Sequence, residues 1–168
     1  DLDFEVPGTL GVIYNYKTWK KHKKGYPCLN IKEYLTEGIQ SNKINMVHAC
    51  FSDLSEEVKN KLKADKTAVL LIDTHNKNWI AEKRRLFVEL NNNKIKTLVI
   101  IGRVYTDLSQ EQLQLSAASD IGALLLDGLG DGIFIYAKNC GSDQMINNLS
   151  FGILQAARTR ISKTEYIS

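Results

Sequence analysis

From about Leu10 onward the chain alternates short apolar runs, rich in β-branched residues, with longer segments in which apolar residues recur at helical spacing. Continuous apolar runs are expected of strands covered on both faces, and an intervening helical period marks the crossovers that join parallel strands. The pattern predicts strands over Leu10–Tyr14, Met46–Cys50, Ala68–Ile72, Thr97–Ile101 and Gly132–Tyr136, each covered on both faces. Asn30 and Ser55 are read as N-caps. Ser55 is followed by Glu56 and Glu57, which suit the positive end of a helix running from about Glu56 to Ala64. Further helices are expected from Asn78 to Leu90, from Ser109 to about Leu125, and from about Asp143 to Ile161. Two segments read as irregular: Lys17 to Pro27, which is basic and aromatic, and the polar stretch Asp73 to Asn78. The fold class is α/β, a mainly parallel sheet of about five to six strands with crossover helices. A complete eight-unit barrel takes about 250 residues, so a partial TIM-barrel-like or open sheet is expected.

Composition narrows the function. The 168 residues suit one domain, taken as residues 1–168. A net charge of +3 with five Phe and two Trp offers neither a basic surface nor a stacking platform for nucleic acid. No run approaches the roughly 20 apolar residues of a membrane helix, and the first residues lack the order of a signal peptide. A cytoplasmic or plastid stromal protein is expected. Cys28, Cys50 and Cys140 lie far apart without a C-x-x-C pair, and predict neither a disulfide framework nor a complete metal site.

The most distinctive stretch is Ile121-Gly122-Ala123-Leu124-Leu125-Leu126-Asp127-Gly128-Leu129-Gly130-Asp131-Gly132-Ile133, followed by Phe134-Ile135-Tyr136-Ala137. Glycines placed this closely permit a tight turn between a helix end and a buried strand. An anion cradle would run from a strand into a helix N-terminus, whereas these glycines run from a helix into a strand, which favours the structural turn.

This stretch resembles the segment that closes the catalytic barrel of the hydroxymethylbutenyl diphosphate synthases of non-mevalonate isoprenoid biosynthesis. Thr97 to Gly102 and the helix from Ser109 fit the preceding βα unit. The stretch Ser150 to Ser168 is similar to the long helix and lead-in that precede the iron–sulfur domain in three-domain members. The resemblance is strong from about Leu98 to Ser168 and weak or absent before. It implies that the chain is the insert domain of the three-domain form, with the catalytic barrel and the iron–sulfur domain outside it. The whole enzyme would reductively convert methylerythritol cyclodiphosphate to hydroxymethylbutenyl diphosphate. Its partners would be its own two other domains, ferredoxin or flavodoxin as electron donor, and a second protomer in a homodimer.

The resemblance also withholds a site. After the glycine-aspartate turn the family's catalytic barrel presents an arginine and, two residues on, a serine to the substrate diphosphate. Here those positions are Phe134 and Tyr136, and neither gives bidentate cationic recognition. The [4Fe–4S] cluster of the parent needs grouped thiolates that three scattered cysteines do not supply. No cofactor is expected in this chain, and no catalytic residue is assigned.

Other candidates rest on residue chemistry alone. His48 and Cys50, two apart on an expected buried strand, suit core packing better than a catalytic pair, because no third orienting group is evident. Asp73 and His75 end an expected strand, where parallel sheets place their sites, and Arg103, with Asp107 nearby, would complete a polar rim. That rim is a relic or a weak anion site, and an independent small-anion-binding domain or enzyme using Asp73, His75 and Arg103 is the alternative reading. Lys20, Lys21, Lys23 and Lys24, flanked by Trp19 and Tyr26, form either a solvated basic loop or a landing site for an acidic electron donor. The leading expectation is a non-catalytic structural or interaction domain.

Overall fold

The computed structural model describes residues 10–36, 38, 40–74 and 76–158. In chain order they form β1 (Ile13–Asn15), α1 (Tyr16–His22), β2 (Tyr26–Asn30), α2 (Ile31–Thr36), β3 (Asn45–Ala49) and a 3-10 turn (Phe51–Asp53). There follow α3 (Glu56–Ala64), β4 (Ala68–Ile72), α4 (Trp79–Asn92), β5 (Leu98–Thr106), α5 (Gln110–Leu126), β6 (Gly132–Lys138) and α6 (Asp143–Ala156). The strands pair in the order β1-β2-β3-β4-β5-β6, all parallel. The sheet is curled into a half-barrel, which decides between the two architectures expected.

Strand register separates the two faces. One row runs Leu29, Val47, Leu70 and Val99, and the next runs Ala49, Ile72, Ile101 and Ile133. Apart from the half-buried Ile133, these side chains are buried against the helices together with Val58, Leu62, Leu86, Leu90, Leu113 and Ile121. On the opposite face lie Cys28, Met46, Val69 and Leu98 in one row, and Gly102 with Phe134 and Val104 with Tyr136 farther along β5 and β6. Ile13, Leu98, Val104, Phe134 and Tyr136 on that face are 43–57% exposed. The expectation that every strand is covered on both faces is therefore wrong. Parallel strands taken in order, joined by crossovers of one hand, send each helix to the same side.

Several elements match the sequence pattern closely. α3 and β4 have the expected bounds, and Ser55 caps α3 by accepting a hydrogen bond from the Val58 N–H. Asn30 and Glu33 exchange reciprocal side-chain to backbone hydrogen bonds at the start of α2, so Asn30 is the expected cap. Where residues 17–27 read as irregular, the structure has α1 and the start of β2. Asn15 accepts from the Thr18 N–H, Lys23 ends the helix at φ 55°, and only Tyr16 and Trp19 of α1 point into the core. Two inward residues among lysines leave too faint a stripe to register as a helix. β1 begins at Ile13 rather than Leu10, and β5 runs on to Thr106. α6 ends at Ala156, where the Ala157 N–H returns to the Ile153 carbonyl and Arg158 takes φ 57°; residues 159–161 of the expected helix lie outside the described residues.

The glycine-aspartate turn is structural. The Gly128 N–H bonds to the Leu125 carbonyl and the Leu129 N–H to the Leu124 carbonyl, a paired reversal that caps α5. Gly130, at φ 93°, lies so near Ile101 that an added Cβ would sit 2.7 Å from its Cδ1. Asp131 then docks the loop, its carboxylate accepting from the Val99 N–H at 2.8 Å while its own N–H donates to the Val99 carbonyl.

Candidate functional site

The C-terminal ends of β4 and β5 gather a set of charged and polar side chains. α4 needs an inward stripe, and its buried positions are Trp79, Lys83, Leu86 and Leu90. Lys83 thus enters the protein at a core position, 2% exposed, and its ammonium donates to the Gly102 carbonyl on β5 while lying 5.0 Å from the Trp79 ring centre. Arg103 sits on the helix-side face of β5. Its guanidinium stacks over Trp79 at 4.3 Å and reaches the Asp120 carboxylate of α5 at 3.4 Å. The Tyr105 hydroxyl donates to the same carboxylate at 3.1 Å.

These neighbours set the protonation chemistry. Burial pushes the Lys83 ammonium down to about 8, a shift opposed by the Asp73 carboxylate and reinforced by Arg103. Burial, with the Asp120 charge beside it, raises the Tyr105 phenol well above its usual range. Asp73 follows β4 and accepts from the Thr74 N–H, and the Thr74 hydroxyl donates to Glu82. The structure brings Asp73 and Arg103 into one network through Lys83. His75 lies outside the described residues. Asp107 is separate from this network, holding the Asn139 side chain at 2.8 Å. Lys83, Trp79 and Asp120 were not anticipated from the sequence, although a lysine four residues after Trp79 on the inward stripe of α4 was the available sign.

Phe134 and Tyr136 project from β6 on the open face of the sheet, opposite Gly102 and Val104. An apolar ring, a phenol, a glycine and a valine make no anion grip there. His48 was expected in the core, but it is exposed on this same face in register with Asn30 and Leu71, because alternation places it opposite Val47 and Ala49. Cys50 donates to the Asp53 carboxylate, and Cys140 donates to the Lys138 carbonyl. Cys28 is on β2, and burial raises its thiol pKa, as does Glu33. The thiols belong to separate strands and loops, a donor arrangement that does not fit an iron–sulfur cluster. Among the described residues no group of three or more His, Cys, Asp or Glu side chains comes together as a metal site.

The lysine run occupies the last turn of α1 and the residues after it. Lys20, Lys21, Lys23 and Lys24 are exposed, with Lys23 over the Trp19 ring at 4.2 Å and Lys20 over Tyr16 at 5.6 Å. Cations at a helix C-terminus are favoured by the backbone dipole. No helix among the described residues is long and apolar enough to cross a membrane.

The Lys83 assignment gives a pH test. Its folded pKa lies below its unfolded value, so between about pH 8 and 10 the unfolded chain binds the extra proton and this group makes stability rise with pH. Urea unfolding should show the wild type gaining stability relative to Lys83→Met across that window, and lysine side-chain NMR should show one resonance titrating near 8. A flat difference, with every lysine titrating near its usual value, would contradict the buried placement.

Neither a family model nor a solved structure matches the chain. Curated relatives do. The chain is 34% identical over 163 residues to the 4-hydroxy-3-methylbut-2-en-1-yl diphosphate synthase (flavodoxin) of Parabacteroides distasonis, covering 97% of this chain and 26% of that protein. It is 39% identical over 116 residues to the Porphyromonas gingivalis enzyme of the same name, covering 69% of this chain and 20% of the relative. The chloroplastic 4-hydroxy-3-methylbut-2-en-1-yl diphosphate synthase (ferredoxin) of Arabidopsis thaliana is 40% identical over 86 residues, covering 51% of this chain and 12% of the relative. The likeness therefore reaches well before Leu98, where the resemblance was expected to be weak or absent. The chain is a homologue of a segment of the 4-hydroxy-3-methylbut-2-en-1-yl diphosphate synthases, spanning about a quarter of the length of the bacterial relatives.

Proposed function

We propose that this chain is a non-catalytic structural and interaction domain of a hydroxymethylbutenyl diphosphate synthase, inserted between the catalytic barrel and the iron–sulfur domain. The parent would reductively convert methylerythritol cyclodiphosphate to hydroxymethylbutenyl diphosphate in the bacterial cytoplasm or a plastid stroma. The observation that carries this reading is the identity and direction of Phe134 and Tyr136. They point from β6 onto the open sheet face at the positions where the resemblance implies an arginine and a serine. Electrostatic grip on a diphosphate needs charged, convergent donors, and these two positions carry aromatic rings instead; the charged group that β6 adds to this face is the single Lys138, two residues beyond Tyr136. The parent's [4Fe–4S] cluster would be held by residues outside this chain.

Replacing residues 1–168 by a flexible linker in the full-length enzyme tests the proposal. Turnover by the remaining domains with impaired assembly or stability is the expected result. Lost turnover in a protein that is intact and properly assembled would overturn it.

The basic end of α1 supplies a second part of the role. The relatives' names specify flavodoxin or ferredoxin, and we take the four exposed lysines as a docking patch for such an acidic carrier. Charge reversal at Lys20, Lys21, Lys23 and Lys24 should slow reduction of the full-length enzyme about tenfold or more at low salt, with the gap closing as salt rises. Equal rates at low salt would remove the docking role.

A further inference from the structure

The entries to the first three strands enclose a concave site, at the opposite end of the sheet from the cluster around Asp73 and Lys83. Residues 10–12 before β1, residues 23–25 between α1 and β2, and residues 40–43 before β3 line a cleft of about 750 Å³. Three lysines meet there, Lys23 and Lys24 from one loop and Lys43 from another. Among the described residues no carboxylate lines the cleft, and none pairs with these three ammoniums. Like charges gathered around one cavity without a counter-charge raise its potential and leave it ready for an anion.

The walls are fixed by contacts that leave the Lys24 and Lys43 heads aside. The buried Trp19 indole donates to the Gly25 carbonyl at 3.2 Å, and the Tyr26 N–H donates to the Val12 carbonyl at 2.8 Å. Gly25 takes φ 66° against that Val12 carbonyl, where a Cβ would collide. Before β3, the fully buried Asn45 accepts from the Ser41 N–H and donates to the Ser41 carbonyl, while the Ser41 hydroxyl accepts from the Lys43 N–H. Both lysine-bearing loops are thus held in place before any ligand arrives, which lowers the ordering cost of binding. Val12, Tyr14 and Tyr26, all half-buried, add apolar surface to the same cleft.

We propose that this cleft binds an oligophosphate group, free or esterified to a small organic body. Phosphate oxygens spread several negative charges over many acceptors, which suits ammoniums arriving as point charges from separate loops. The Ser41 hydroxyl and the Asn42 amide add neutral donors beside them. An esterified ligand would lay its organic part against Val12, Tyr14 and Tyr26. Concavity and size suit a small molecule better than a protein surface. The site goes beyond the carrier-docking patch: it shares Lys23 and Lys24 with that patch, leaves out Lys20 and Lys21, and adds Lys43.

Fluorine NMR of the full-length enzyme labelled with fluorotryptophan reads the outcome, the Trp19 line being assigned from Trp19→Phe. Inorganic diphosphate and adenosine diphosphate are the probes. At least one should move the Trp19 line saturably, with half-saturation below about 1 mM, where sodium chloride at matched ionic strength does not. Lys43→Gln, an exposed change, should weaken that binding about tenfold, and Lys20→Gln should leave it unchanged. Tighter binding of adenosine diphosphate assigns an esterified ligand, and tighter binding of inorganic diphosphate assigns the free anion. A Trp19 line that neither probe moves at about 10 mM would overturn the proposal, as would wild-type affinity in both Lys24→Gln and Lys43→Gln. Reading Trp19 separates this cleft from any anion site elsewhere in the parent, and Lys43 separates its failure from that of carrier docking.

Discussion

The constraint on which this structure turns is the hand of the β-crossover-β connection. Six strands laid side by side in chain order, all parallel, require five crossovers, and a connection of one hand sends every crossover to the same side of the sheet. The helices accumulate on the convex side and bury the rows through Val47, Leu70, Val99 and Ile101. On the concave side Met46 and Val69 are buried, but Ile13, Leu98, Val104, Phe134 and Tyr136 stay exposed. Its apolar side chains survive as an exposed face because topology, and not local hydrophobicity, decides which surface is covered.

The same asymmetry separates what stabilises the domain from what it offers to others. Lys83, Arg103, Asp120 and Tyr105 form a partly buried polar network on the helix side, where each charge has a counterpart or an aromatic face. Such a network fixes α4 and α5 against β5. The position at which the resemblance would place an anion grip is on the other face, at Phe134 and Tyr136. The strand ends thus keep a barrel's geometry, while Lys83 and Arg103 are engaged in the packing of the helices and not turned to the concave side.

Much of this was legible in the residues. The continuous apolar run Ala68–Ile72, the cap at Ser55 and the glycine-aspartate turn each specify a local geometry by themselves, and the structure has all three. Coverage was not legible, because an apolar strand residue reads alike whether a helix lies over it or not; Leu98 and Phe134 were taken as buried for that reason. α1 and β2 were missed because lysines dominate residues 17–24 while Tyr16, Trp19 and Leu29 carry the core contacts. The strand-end cluster was half visible: Arg103 and Asp73 stood out as charges after apolar runs, but their connection through Lys83 depends on how α4 crosses between β4 and β5. Homology had the same bias, since the short glycine-rich motif was noticeable while the similarity upstream of Leu98 was not.

The central claim is that the concave face of this domain takes no part in the chemistry of its parent. Tyr136 supplies a hydroxyl and His48 an imidazole to that face, so the direct measurement is kcat of the full-length enzyme carrying Tyr136→Phe and His48→Ala together. The account predicts turnover within about twofold of the wild type, since neither group would meet substrate or cluster. A fall of about a hundredfold in a folded, cluster-loaded protein would contradict it and place a reacting group on this face.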